Sequence, residues 1–290
     1  MYVAKQSMED KQGRADREYS HLILLAENQT GYRNLIQLVS MAWLKGYYYK
    51  PRIDYQVLAD YTEGLICLSA CLSGDIPRLL MENRYEDAKK LALRLQEMFG
   101  PDHFFLEIQD HGIPVQKEVN AQLIRMSNET GIELVATNDV HYLTQADAQV
   151  QDVLLCIQTA SFLDEPDRMR MDSDQMYFKS EQEMAALFAS VPQAISNTMK
   201  IAERCHVDLD FSTQHLPSFD VPEGTDKTQY LTDLAMAGFR KRYGENAQVQ
   251  ARLEEELGVI ASMGYVDYFL VVWDFIRYAK QQMCIRDSDY

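Results

Sequence analysis

Short apolar runs alternate with longer stretches of helical period through the first half of the chain. His21-Leu-Ile-Leu-Leu-Ala26 fits either a strand or a helix start, and its length favours a strand. Leu35, Leu38, Val39 and Ala42 recur at i, i+3, i+4 and i+7, which predicts a helix with one apolar face. Gly64-Leu-Ile-Cys-Leu-Ser-Ala70 lies between turn signals and predicts a buried strand. Ala88, Leu91, Ala92, Leu95 and Met98 mark an amphipathic helix, which Gly100 and Pro101 stop. His103–Ile108 reads as the next strand. Val115, Val119, Leu123 and Met126 line a helix from Pro114 to Gly131, and Ile132–Ala136 reads as a fourth strand. This strand–helix alternation predicts an α/β fold with parallel pairing and right-handed crossovers.

The pattern then changes. Residues 5–20 are polar and predict an exposed loop. Residues 145–205 are mostly helical in period, with a Met- and Asp-rich loop near Asp164–Asp174. Residues 208–226 carry prolines and read as an extended linker, so a domain boundary is expected there. Two helical stretches follow, over about 227–243 and 246–263, and then the aromatic-rich segment Tyr265–Tyr278, which reads as a buried helix.

The formal net charge of −16, from 44 acidic against 28 basic side chains, disfavours a main nucleic-acid groove or an anionic membrane as partner. The five cysteines, Cys67, Cys71, Cys156, Cys205 and Cys284, are odd in number and form no CxxC pair, which suggests a reducing, cytoplasmic compartment. No apolar run approaches the ~18 residues of a membrane span.

Ligands in parallel α/β folds gather at the carboxyl ends of strands. The second run leads into Cys71-Leu-Ser-Gly-Asp75, the third into Asp110-His111-Gly112, and the fourth into Asn138-Asp139-Val140-His141, while His21 sits at the edge of the first. Imidazole and thiolate suit zinc; carboxylate also accepts magnesium or manganese. In an extended Asp-x-His both side chains point to one face, so Asp139 and His141 can share a metal ion or a water. Alone, that motif also fits a turn aspartate beside a structural histidine, and Cys71 also fits a small buried hydrophobe. Asp110-His111-Gly112 fits a turn. His103, His206 and His215 show no pattern, and no role follows for Glu107, which shares a strand face with Phe105.

These residues match a family pattern. His21-Leu-Ile-Leu-Leu-Ala-Glu-Asn, Lys50-Pro-Arg-Ile-Asp, Glu63-Gly-Leu-Ile-Cys-Leu-Ser-Ala-Cys-Leu-Ser-Gly-Asp-Ile-Pro77 and Ala136-Thr-Asn-Asp-Val-His-Tyr142 resemble the PHP domain of bacterial polymerase III alpha subunits, the C-family replicative polymerases. Gln151–Thr159, Tyr177-Phe-Lys-Ser180, Leu216-Pro-Ser-Phe219 and Met263–Phe275 resemble the same family further along. The resemblance implies a distorted β/α barrel bearing a metal cluster at its strand ends, with metal ligands at His21, Cys71, Asp139 and His141. It also implies the organisation 1–207 PHP domain lacking its N-terminal strands, 208–226 linker, and 227–290 mainly helical start of the polymerase palm. The family's PHP ligand set begins with a His-x-His motif, placed upstream of the position matching Met1. After Lys280 the family continues into a Gly-rich, Ser-containing motif, unlike Met283–Tyr290 here.

Three functions are therefore expected to compete. The first is a fragment of a DNA-directed DNA polymerase acting in replication, itself without the polymerase's catalytic aspartates. Its parent would use magnesium, DNA and dNTPs, and would meet a sliding clamp and a proofreading subunit. The second is a metal-dependent 3′–5′ exonuclease or phosphoesterase using zinc or manganese. The third is a non-catalytic scaffold that packs against the palm.

Overall fold

The computed structural model describes residues 1–211 and 216–282; the tail from Met283, including Cys284, and His215 lie outside the described residues. The chain divides into two compact units, Met1–Asp208 and Leu209–Tyr290.

In the first unit, β1 (Tyr2–Ala4), β2 (Tyr19–His21) and β4 (Arg52–Ile53) form a small sheet in the order β2-β1-β4. The larger sheet has the order β3-β5-β6-β7, from β3 (Ile23–Ala26), β5 (Leu65–Leu68), β6 (Phe104–Ile108) and β7 (Leu134–Ala136). The expected parallel pairing is present between β5 and β6 and between β6 and β7. The run from His21 to Ala26 is split at Leu22 between the two sheets. Its second part, β3, runs antiparallel to β5, with Ile23 opposite Leu68 and Ala26 opposite Leu65. The amino end of β3 therefore lies beside the carboxyl end of β5.

The longer helices form where the period placed them. Helix α1 (Gln29–Leu44) opens on Asn28, whose side-chain oxygen accepts from the Thr30 and Gly31 amides at 3.0 and 3.1 Å, a capping arrangement that satisfies two orphan donors. It needs glycine at 31, because a Cβ there would sit 1.7 Å from the Gly64 carbonyl oxygen. Of the predicted apolar face of α1, Leu38 and Ala42 are buried, whereas Val39 is 43% exposed and lies off that face. After the short α2 (Tyr55–Ala59) and α3 (Asp75–Met81) come α4 (Tyr85–Phe99) and α5 (Pro114–Thr130), the latter ended by Gly131 at φ 75°. Ala88, Ala92, Leu95, Val119, Leu123 and Met126 from these two helices pack with Cys67, Phe104, Leu106, Leu134 and Ala136 in the main core.

Alternation along the strands sends the neighbouring residues to the opposite face. There Ile66, Leu68, Phe105 and Val135 pack with Ile201. Residues 148–202 supply α6 (Ala148–Thr159), α7 (Glu181–Leu187) and α8 (Pro192–Ala202). Buried Asn197 of α8 donates through Nδ2 to the Leu134 carbonyl at 2.8 Å, covering part of the exposed side of β7. Among the described residues the strands form two open sheets, an α/β arrangement.

The second unit contains α9 (Lys227–Tyr243), α10 (Ala247–Ser262) and α11 (Val266–Gln281). Leu231, Val266 and Leu270 form its core, with Phe219, Val221 and Tyr230 packed on them. Asp267 accepts from the Phe219 amide and from Lys227 Nζ, each at 2.6 Å, so residues around 219 are tied to α11. Phe269, Phe275 and Tyr278 of the aromatic segment are exposed within this unit. Among the described residues no single helix is long and apolar enough to cross a membrane.

Candidate metal centre

The face of the larger sheet that packs on Ile201 changes character along its strands. Towards the carboxyl ends of β5, β6 and β7 the apolar side chains give way to Ala70, Glu107, Gln109, Thr137 and Asp139. With His21, Ile23, Leu25, Leu68, Cys71 and His141 they line a cavity of about 470 Å³. All four residues singled out in the sequence, His21, Cys71, Asp139 and His141, face this one cavity. His21 reaches the rim because β3 is antiparallel: its amino edge, not its carboxyl edge, meets the end of β5.

The four come together as two pairs. Cys71 Sγ lies 3.6 Å from His21 Nδ1. The His21 amide donates to the Ser73 carbonyl at 3.0 Å, which fixes the backbone of one partner to the loop that carries the other. In the second pair, His141 Nδ1 is 3.9 Å from Asp139 Oδ1 and 2.8 Å from the Asp139 carbonyl oxygen. A carbonyl can only accept, so Nδ1 carries the proton and Nε2 is left with a free lone pair, the tautomer a metal ligand needs. Asp139 adopts φ 46°, the left-handed region that aspartate tolerates better than most residues. Among the described residues, no three His, Cys, Asp or Glu side chains converge closely enough, as placed, to hold one ion.

The loop carrying the second pair is anchored on several sides. His111, buried in the Asp110-His111-Gly112 turn, donates from Nε2 to the Asn138 carbonyl at 2.8 Å and accepts at Nδ1 from Gln116 at 2.9 Å. Asn138 Nδ2 donates to the Tyr177 carbonyl at 2.7 Å, and buried Lys179 donates to Asn138 Oδ1 at 3.3 Å. The His141 amide donates to the Met176 carbonyl at 2.8 Å. His111 thus belongs to the support of the loop. His103 contacts Glu27 on another part of the unit, with Nε2 3.0 Å from the carboxylate.

Electrostatics in the cavity follow burial. Burial pushes the Cys71 thiol above its ordinary value, with the charges of Asp139 and Glu107 adding to it and hydrogen bonds at Ser73 opposing. Burial lowers His21, as do nearby positive charges including Arg78, against the pull of Asp139. Glu107 went unassigned at the level of sequence. Here it is 5% exposed, and burial raises its carboxyl despite hydrogen bonds from Thr137 and Gln109. Its Oε2 and Gln109 Oε1 are buried without a hydrogen-bond partner. The signal that pointed to it was a charged residue inside an otherwise apolar strand, Phe-Phe-Leu-Glu-Ile, where such a residue is rare unless paired. Two imidazoles, a thiol and carboxylates around unsatisfied buried oxygens fit a divalent ion in donor chemistry. Holding one ion requires the two pairs to close on each other.

Known proteins resemble this chain along its length. The PHP domain family model matches residues 1–111. The model described as bacterial DNA polymerase III alpha NTPase domain matches residues 229–287. The DNA polymerase III subunit alpha of Treponema pallidum is 44% identical over 284 residues, covering 97% of this chain and 24% of that protein. That of Borreliella burgdorferi is 44% identical over 282 residues, covering 96% and 24%. That of Thermus aquaticus is 36% identical over 342 residues, covering 96% and 28%. The chain spans about a quarter of the length of these relatives. Along nearly its whole length the chain thus matches one stretch, about a quarter, of bacterial DNA polymerase III alpha subunits, and its first 111 residues match the PHP domain.

Proposed function

We propose that the chain serves chromosomal replication as part of a DNA-directed DNA polymerase alpha subunit, and that its sheet-end cavity is a divalent-metal site of the PHP type. The observation that supports the second half is that His21, Cys71, Asp139 and His141, from three separate segments of the chain, line one cavity. In this reading the first unit is the larger part of a distorted β/α barrel, and residues 227–290 lead into the palm. The parent protein takes DNA and dNTPs with magnesium at its polymerase centre, works in the cytoplasm, and meets a sliding clamp and a proofreading subunit.

The metal of the PHP cavity would be zinc or manganese, and the residues that would hold it are His21, Cys71, Asp139 and His141. When bound, such an ion supplies a polarised water and charge neutralisation for phosphodiester cleavage, the 3′–5′ exonuclease or phosphoesterase chemistry. The protein's own part is orientation. The Asp139 carbonyl holds the His141 proton on Nδ1, the His111 and Lys179 contacts fix the loop, and Leu25 and Leu68 add an apolar part to the lining. The two-pair placement of the donors favours a second reading, a non-catalytic scaffold.

Metal analysis of the full 290-residue chain after mild purification separates the two. Stoichiometric zinc or manganese that disappears in the double variant Asp139→Ala, His141→Ala is the expected result. A chain free of metal, and unable to take it up on dialysis, leaves the scaffold reading.

A further inference from the structure

The donors around the cavity follow the order of the sheet. His21, the last residue of β2, immediately precedes the Leu22 break before β3, β5 leads into Cys71, and β7 leads into Asp139 and His141. Between β5 and β7 runs β6, and the acidic residue it adds to the same cavity is Glu107. Glu107 is in register with Val135 of β7, and its amide donates to Ser69 Oγ, just beyond β5, at 2.8 Å. It is thus fixed between the strands that carry the two donor pairs.

Its side chain is half satisfied. Oε1 accepts from Gln109 Nε2 at 3.0 Å and from Thr137 Oγ1. Oε2 is buried and makes no well-formed hydrogen bond, although the Ala70 backbone amide is near enough to favour the charged carboxylate; Oε1 of Gln109, two residues along, is likewise buried without a partner. Leaving a buried carboxylate oxygen without a donor is costly, and a cation satisfies it as well as an N–H or O–H does. The neighbouring donors of the cavity are of the types that bind such a cation.

We propose that, when the His21–Cys71 and Asp139–His141 pairs close on a divalent ion, Glu107 is a further donor to it through Oε2. The inference rests on the metal reading of the cavity. Gln109 and Thr137 then act as outer partners that both donate to Oε1 and set the carboxylate's direction. The structural rival is local: a void of about 10 Å³, lined by Glu107, Gln109, Cys71 and Asn120 among others, is at the lower limit for one buried water that would pair with the same oxygens.

Cobalt(II) distinguishes the two, titrated into the full chain and into Glu107→Gln, which keeps the side chain's shape. Thermal unfolding of both apo proteins checks the fold. The expected result is Co²⁺ affinity weaker by at least about tenfold in Glu107→Gln, with altered visible d–d bands and a retained thiolate-to-cobalt charge-transfer band. Unchanged affinity and d–d bands in Glu107→Gln, alongside weakened binding in Asp139→Asn, overturn the role of Glu107 and leave the cavity reading in place. Absence of Co²⁺ binding by the unsubstituted chain overturns both. If Glu107→Gln unfolds, Glu107→Asp takes its place: it keeps the charge but withdraws the oxygens, and undiminished Co²⁺ binding by that variant overturns the proposal.

Discussion

Single residues in this molecule divide by whether their chemistry or their surroundings decide their role. Asp139 and His141 drew notice through an i, i+2 spacing that would share a face in an extended segment, but Asp139 sits at φ 46° in the loop after β7, so it is the loop and not a strand that brings the two to 3.9 Å. Arg52 drew no such notice. Its residue type implies solvent, yet it is 1% exposed. Its guanidinium donates to the carbonyls of Gly46, Met8 and Asp10 at 3.2, 3.1 and 3.0 Å, and also to that of Asp16. The planar fork thereby organises the loop of residues 8–16, which the sequence showed only as polar and exposed. Lysine has no fork to replace it. Arg52→Lys is expected to lower stability by about 2–4 kcal/mol, several charge-assisted bonds being lost at once. Urea unfolding measures the loss, and limited proteolysis within residues 8–16 should rise in parallel.

At the level of elements, periodicity located the longer helices and the parallel pairing of β5, β6 and β7, because each of those strands is buried on both faces and reads as an apolar run, broken only by Glu107 in β6. It did not foretell the split of the first run at Leu22 or the antiparallel course of β3, since a run of apolar residues carries no record of its direction. Nor did it show how β7 is protected. Asn197 does this from α8 through one buried hydrogen bond to the Leu134 carbonyl. Asn197→Ala removes the donor and leaves that carbonyl buried without a partner. The expected cost is about 1–3 kcal/mol. Hydrogen exchange should report it as faster exchange in β7 and α8, with α4 unaffected.

For the first unit taken whole, long-range closure comes from a contact between residues 27 and 204. Glu27 accepts from Arg204 Nε at 2.8 Å, and His103 Nε2 lies 3.0 Å away, while Arg204 Nη1 donates to the Asp102 carbonyl at 2.6 Å. Burial works to raise the Glu27 carboxyl, but the Arg204 and His103 contacts together outweigh it and hold it below its ordinary value of 4.5. A carboxyl depressed in the folded state stabilises above its unfolded pKa, and that stability is lost as pH falls through the folded value. Glu27→Gln should therefore be less stable than the parent chain at neutral pH, and the gap between their denaturation midpoints should close below about pH 4.5. No local pattern announced this contact, because partners 177 positions apart leave no trace in any window of sequence.

The covering of β7 by Asn197 has a consequence for how the protein is made. Every cavity residue has left the ribosome once position 141 emerges, whereas the side chain that caps the last strand follows 56 positions later. During that interval the nascent sheet offers an open flank to any extended peptide nearby, including a sister chain on the same polysome, so translation pauses between these two points are where association between growing chains should begin.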